Sequence, residues 1–233
     1  TLKFLCLLMA VHPAFASCVA WLPARNDVLL MIFSMLGFIS LINYLRQNRL
    51  YQLIAFILFF FCALLTKETA IVFIFLFILL IYCFNLKIGQ NQIIKIISLL
   101  IPTVTVYFIL RNLSVADIDI NEYLINWQDY ILNILFNFMM FIYKFIFPLH
   151  MPIILYNVKI NIFILIVNIA VCILLYILYH KNAINKKFII FSLIWIFLCL
   201  LPTFLLQKSH YLFMTHRLIL PFLGIAIILH EFI

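Results

Sequence analysis

The sequence is poor in glycine, in charge and above all in acid: 3 Gly, 9% charged residues and 7 Asp plus Glu in 233 residues. The scarcity of charge excludes a water-soluble domain. Soluble folds run about 45 to 50% apolar and about 25% charged, whereas 69% of this chain is hydrophobic and its mean hydropathy is +1.28. The scarcity of glycine speaks against a transporter or flippase subunit, whose corresponding halves carry Gly- or Pro-interrupted spans, and no internal symmetry is visible. Polar/apolar alternation, which a transmembrane barrel needs, is replaced by unbroken apolar runs such as Ile71 to Phe84. No basic block stands free of the apolar segments, so the net charge of +8 does not point to nucleic acid. The Cys residues (Cys6, Cys18, Cys62, Cys83, Cys172, Cys199) show no CxxC or His spacing, and read as small packing residues rather than a metal site or disulfide frame.

What is present is apolar helix. Runs broken by polar clusters predict a partial helix over 1–10 and spans near 28–42, 50–65, 69–84, 93–110, 160–179, 188–206 and 218–230. At about 20 residues per span, this is an all-α polytopic membrane protein of about seven or eight spans, a single transmembrane domain over 1–233. The segment 130–147 is long enough to cross, yet carries Asn133, Asn137 and Lys144; it spans the bilayer or lies in its interface. The chain opens on Thr1 with an apolar run too short for a span, and reads as a fragment starting inside a helix.

Lys and Arg collect in cytoplasmic loops. The connections with Arg46 and Arg49, with Lys87 and Lys95, and with Lys181, Lys186 and Lys187 hold no acidic residue, and are expected in the cytoplasm. The alternate ones hold Arg25 with Asp27, Lys67 with Glu68, then Asp117, Asp119, Glu122 and Asp129, then Lys208 with Arg217. They are expected outside, in the periplasm or a lumen, and the parity favours the interfacial reading of 130–147.

Ionisable groups at the ends of spans are costly to place there and are functional candidates. Four clusters qualify. His12-Pro13, Trp21 and Arg25-Asn26-Asp27 form an outer loop in which Asp27 also suits the start of a helix. Lys67-Glu68 is either a neutralised hairpin turn or an anion contact with its orienting carboxylate. Phe147-Pro148-Leu149-His150-Met151-Pro152 encloses a His between prolines, as a turn would. His216-Arg217, before Pro221 and Gly224, places a guanidinium at headgroup level, to snorkel or to bind phosphate bidentately.

These clusters, in order, resemble the transmembrane and tetratricopeptide-repeat O-mannosyltransferase-like proteins. His12-Pro13, Val19-Ala20-Trp21, Arg25, Asp27 and Leu29 are similar to their HP...VAW...R.DLL segment; Leu65 to Ala70 to L.KE; Phe147 to His150 to FP.HLS; and Thr215 to Gly224 to ERYLYLPS.G. His216 stands where the family pattern has Glu, and Phe222 where it has Ser. The resemblance implies a GT-C fold and transfer of a sugar from a polyprenyl-phosphate carrier to a protein or glycan acceptor, among them Ser or Thr hydroxyls, at the outer face of a membrane such as the bacterial inner membrane. It implies that the main acidic base lies upstream of this chain, with Asp27 a stand-in. His12, Arg25, Lys67, Glu68, His216 and Arg217 are then expected to bind substrate. No pattern identifies a cofactor, and a divalent metal stays open. The rivals are a non-catalytic membrane protein, a transporter or flippase subunit, and a truncated remnant.

Overall fold

A computed structural model describes Leu7 and residues 10–86, 88–114, 127–149, 154–155, 162–180, 185–205 and 213–232. The described chain is helical: α1 (Pro13–Ala20), α2 (Arg25–Gln47), α3 (Leu50–Thr66), α4 (Val72–Cys83), α5 (Gln90–Ser114), α6 (Trp127–Ile146), α7 (Ile162–His180), α8 (Lys186–Leu205) and α9 (Ile219–Phe232). Short 3-10 turns precede α2 (Leu22–Ala24), α4 (Glu68–Ile71) and α9 (Thr215–Leu218). The strands among the described residues are one two-residue antiparallel pair, β1 (Ile154–Leu155) against β2 (Phe213–Met214). The all-α class therefore holds.

Helices extend beyond the apolar runs that announce them. α2 begins at Arg25 and α5 runs from Gln90 to Ser114, because polar residues at a helix end keep helical dihedrals while meeting water or headgroups. Hydropathy marks the apolar stretch and not the whole helix. Among the described residues, two helical stretches are long and apolar enough to cross a membrane, Leu22–Gln47 with 26 residues and Gln90–Ser114 with 25. Other described apolar helices are shorter, among them Leu50–Thr66 and Ile162–Ile177.

The chain divides into two compact units, the first comprising Thr1–Arg25 with Asn121–Ile233, the second Asn26–Ile120. In the second, Phe77 on α4 is the centre of an aromatic core. Its ring lies 4.6 Å from that of Phe38 on α2 and 4.8 Å from that of Phe56 on α3, both edge-on, the arrangement aromatic quadrupoles favour. Gly37 on α2 faces the same rings, where a Cβ would meet Phe56 and Phe77 at 3.9 and 4.0 Å, ordinary van der Waals contact. α5 packs on α3, yet of its side chains Tyr107 alone is buried. Its outward Ile94, Ile101, Phe108 and Leu113 form a surface suited to lipid rather than water. Thr103 and Thr105 on the same helix donate to Leu99 O and Ile101 O at 2.7 and 2.9 Å, satisfying their hydroxyls within the helix as an apolar solvent demands. The links after α2 and after α4 turn through left-handed backbone at Asn48 (φ 53°) and Asn85 (φ 49°), a conformation asparagine tolerates better than most residues.

In the first unit, α9 packs on α8, α6 packs on α7 and α8, and α1 packs on the turn Thr215–Leu218. Gly224 is obligatory for the α8–α9 approach: a Cβ there would stand 2.7 Å from Ile196 Cγ1 and 2.8 Å from Ser192 O. Trp195 Nε1 donates to Leu220 O at 2.8 Å, joining the same helices. Asn168 on α7 donates to Met139 O on α6 at 3.2 Å. On α6, Phe136, Asn137, Met140, Phe141 and Lys144 are all buried; at helical spacing they make one stripe. Asn137 and Lys144, two of the polar residues that made 130–147 ambiguous in the sequence, thus share the packed face of this helix.

Candidate functional site

In the second unit the chain order places Asp27 in the first turn of α2, Lys67 directly after α3, Glu68 at the start of the following 3-10 turn, and Arg111 in the last turn of α5. Lys67 Nζ donates to Asp27 Oδ1 at 2.5 Å. Asp27 is almost wholly buried, its side chain 4% exposed against 25% for Lys67. Beside this pair, Arg111 Nη1 donates to Glu68 Oε2 and lies 3.4 Å from the Tyr107 hydroxyl. This second pair is open, with 31% of the Arg111 side chain and 47% of Glu68 exposed.

These groups border a cleft of about 340 Å³ lined by Leu64, Leu65, Thr66, Lys67, Glu68, Tyr107, Leu110, Arg111 and Ser114. One side offers cations, carboxylate and hydroxyl; the leucines offer hydrocarbon. Thr66 Oγ1 and Ser114 Oγ are turned back on Cys62 O and Leu110 O at 2.7 and 2.8 Å. The chemistry available is therefore recognition of an anionic group attached to an apolar body.

Arg111 escaped the sequence reading because it ends an apolar run without polar neighbours before it. A signal existed: it is an arginine just ahead of the acidic segment Asp117 to Asp129, a connection the sequence reading expects outside, where positive charge is depleted.

The first unit gathers residues of three other clusters. His12 precedes α1 and caps it: its Nδ1 accepts from the Ala14 amide at 3.2 Å. That acceptance leaves the proton on Nε2, which lies 3.3 Å from Phe145 O. The imidazole meets the Phe222 ring edge-on at 4.5 Å and stacks on Phe145 at 5.8 Å. Burial pushes its pKa below the ordinary 6.5, and the hydrogen bond to Phe145 O opposes that shift. His216 is buried with its ring edge-on to Trp21 at 4.7 Å, and its carbonyl accepts from Cys18 Sγ at 3.4 Å. Arg217 is half-buried in the same 3-10 turn. Arg25 is exposed, its Nε donating to Val19 O at 3.4 Å.

Hence Asp27, Lys67 and Glu68 come together in one unit, and His12, Trp21 and His216 share contacts with the α1 region in the other. Of the third cluster, Phe147, Pro148 and Leu149 are described, and Lys144 Nζ donates to Leu149 O at 2.6 Å; His150, Met151 and Pro152 lie outside the described residues, as do Lys87, Asp117, Asp119, Glu122, Lys181 and Lys208. No group of His, Cys, Asp and Glu that could hold a metal ion occurs among the described residues. Neither a protein-family model, nor a curated protein, nor a solved structure matches this chain.

Proposed function

We propose that this chain is membrane-embedded machinery of a glycosyltransferase that takes a sugar from a polyprenyl-phosphate carrier and places it on an acceptor hydroxyl at the outer face of a membrane, such as the bacterial inner membrane. In this reading the chain crosses the bilayer seven or eight times in a GT-C-like bundle. The observation that carries the reading is the cleft at the ends of α3 and α5, where Lys67, Glu68 and Arg111 stand beside Leu64, Leu65 and Leu110. A phosphate attached to an isoprenoid chain needs both surfaces at once. The four-segment resemblance to the O-mannosyltransferase-like proteins supports the same chemistry.

A carboxylate deprotonates the acceptor and cationic groups stabilise the departing lipid phosphate. Asp27, engaged by Lys67, serves to hold that lysine, and the base comes from the acidic loop that the family places upstream. Arg217, His216, Arg25 and His12, which the resemblance also marks for substrate, lie in the first unit. A second reading, a non-catalytic membrane protein, is favoured by one observation: the four charges already pair off as Asp27 with Lys67 and Glu68 with Arg111.

The complete gene product, reconstituted in liposomes with radiolabelled polyprenyl-phosphate sugar, separates the two. Transfer of label to water or peptide, abolished by Arg217→Ala and by Lys67→Ala, is expected. Intact labelled lipid after incubation with correctly folded protein would leave the non-catalytic reading.

A further inference from the structure

The two cations of the cleft are anchored differently. Lys67 is tied to a carboxylate only 4% exposed, at 2.5 Å. Withdrawing the lysine would strand a buried charge, a change that costs far more than the pair contributes. Arg111 is tied to a carboxylate 47% exposed. Open ion pairs of this kind contribute little and exchange partners readily, because water solvates the released carboxylate. Arg111 is also the better phosphate ligand of the two, since its planar fork can engage two oxygens at once. Tyr107 lies within reach of the same guanidinium, and Leu110 lines the cleft next to it.

We infer that Arg111 is the exchangeable anion contact of this cleft, and that Glu68 is a resting counter-ion which an incoming phosphate ester displaces. Lys67 then keeps its place with Asp27 throughout. Glu68 occupies the guanidinium as a phosphate oxygen would, and on exchange moves into solvent from the start of the turn Glu68–Ile71. The leucines select an amphiphile over a free ion. This inference rests on the cleft's being a phosphate site and not on sugar transfer.

The test is a titration of the full chain in nanodiscs with farnesyl phosphate, farnesol and inorganic phosphate, by calorimetry. Removal of a competing carboxylate should make Glu68→Gln bind farnesyl phosphate about fivefold tighter. Loss of a charge-assisted hydrogen bond should make Arg111→Gln bind it about tenfold or more weakly, with Arg111→Lys between that variant and the parent. Because misfolding does not tighten binding, the Glu68→Gln arm is safe from a folding artefact. Weaker or unchanged binding by Glu68→Gln, or parental binding by Arg111→Gln, would overturn the inference. Inorganic phosphate binding as tightly as farnesyl phosphate would overturn the lipid as the source of the anion. No sugar is moved in this titration, so loss of glycosyl transfer with these affinities intact would count against the transferase alone.

Discussion

Lys67 reaches back forty residues to place its ammonium 2.5 Å from the carboxylate of Asp27, closing the start of α2 on the end of α3. The two partners are not equivalent, because Asp27 is enclosed while Lys67 is partly open. Removing Lys67 leaves a carboxylate in an apolar setting; removing the charge of Asp27 leaves an ammonium that can turn to solvent. Lys67→Met is therefore expected to destabilise by about 3 kcal/mol and Asp27→Asn by about 1 to 2 kcal/mol. Thermal unfolding of both variants in detergent checks the order; equal losses would mean that the lysine has no route outward.

His12 couples stability to pH. Its folded pKa lies below 6.5 through burial, so the unfolded chain binds the proton more readily. The stabilisation is full above about 6.5 and is lost as pH falls through the lowered folded value. Protonation also removes the Nδ1 acceptor that caps α1. Melting temperature should stay level from pH 8 to about 6.5 and fall below it. In His12→Asn, which keeps a capping acceptor but does not titrate, the decline should be shallower. The two profiles running parallel would remove His12 as the cause.

Gly224→Ala should separate α8 from α9. The added methyl would meet a backbone oxygen, Ser192 O, at 2.8 Å as well as Ile196, and a backbone cannot swing aside as a side chain can. A loss of about 1 to 3 kcal/mol is expected, the range for overpacking. An unchanged unfolding midpoint would show that the two helices do not pack this closely.

Phe77 and Phe75 sit two residues apart on α4 with opposite surroundings, the first 4% exposed in the aromatic core and the second 62% exposed. Phe77→Ala should cost about 3 to 5 kcal/mol through the cavity it leaves. Phe75→Ala should change stability by less than about 0.5 kcal/mol. Differential scanning calorimetry of the pair reads both.

The helices were legible because apolar composition survives any arrangement: the run 50–65 folds as one helix, Leu50–Thr66. Asp27, Lys67 and Glu68 were also visible singly, as charges interrupting hydrocarbon. Their pairing was not, since contacts across forty or more residues leave no trace in local spacing. Glu68 was expected to serve Lys67, its neighbour in the chain, but its carboxylate is bonded to Arg111. Adjacent residues after a helix end point apart, so the nearer cation in sequence is the farther one in use. Lys144 shows the same blindness in reverse: hydropathy registers it as a polar interruption, whereas the helix turns it onto the packed stripe with Phe141.

Asn48 and Asn85 carry a consequence for how the second unit is made. Each supplies, with asparagine in place of glycine, the left-handed backbone that follows a helix end. Asparagine explores fewer backbone states than glycine before folding, so each corner surrenders less disorder as it forms. Helices α2 and α3 thereby meet through a two-residue link, Asn48-Arg49, and partners near in sequence find each other fastest. The unit is suited to assemble as successive hairpins while the chain is still being delivered, each corner set before the next helix arrives.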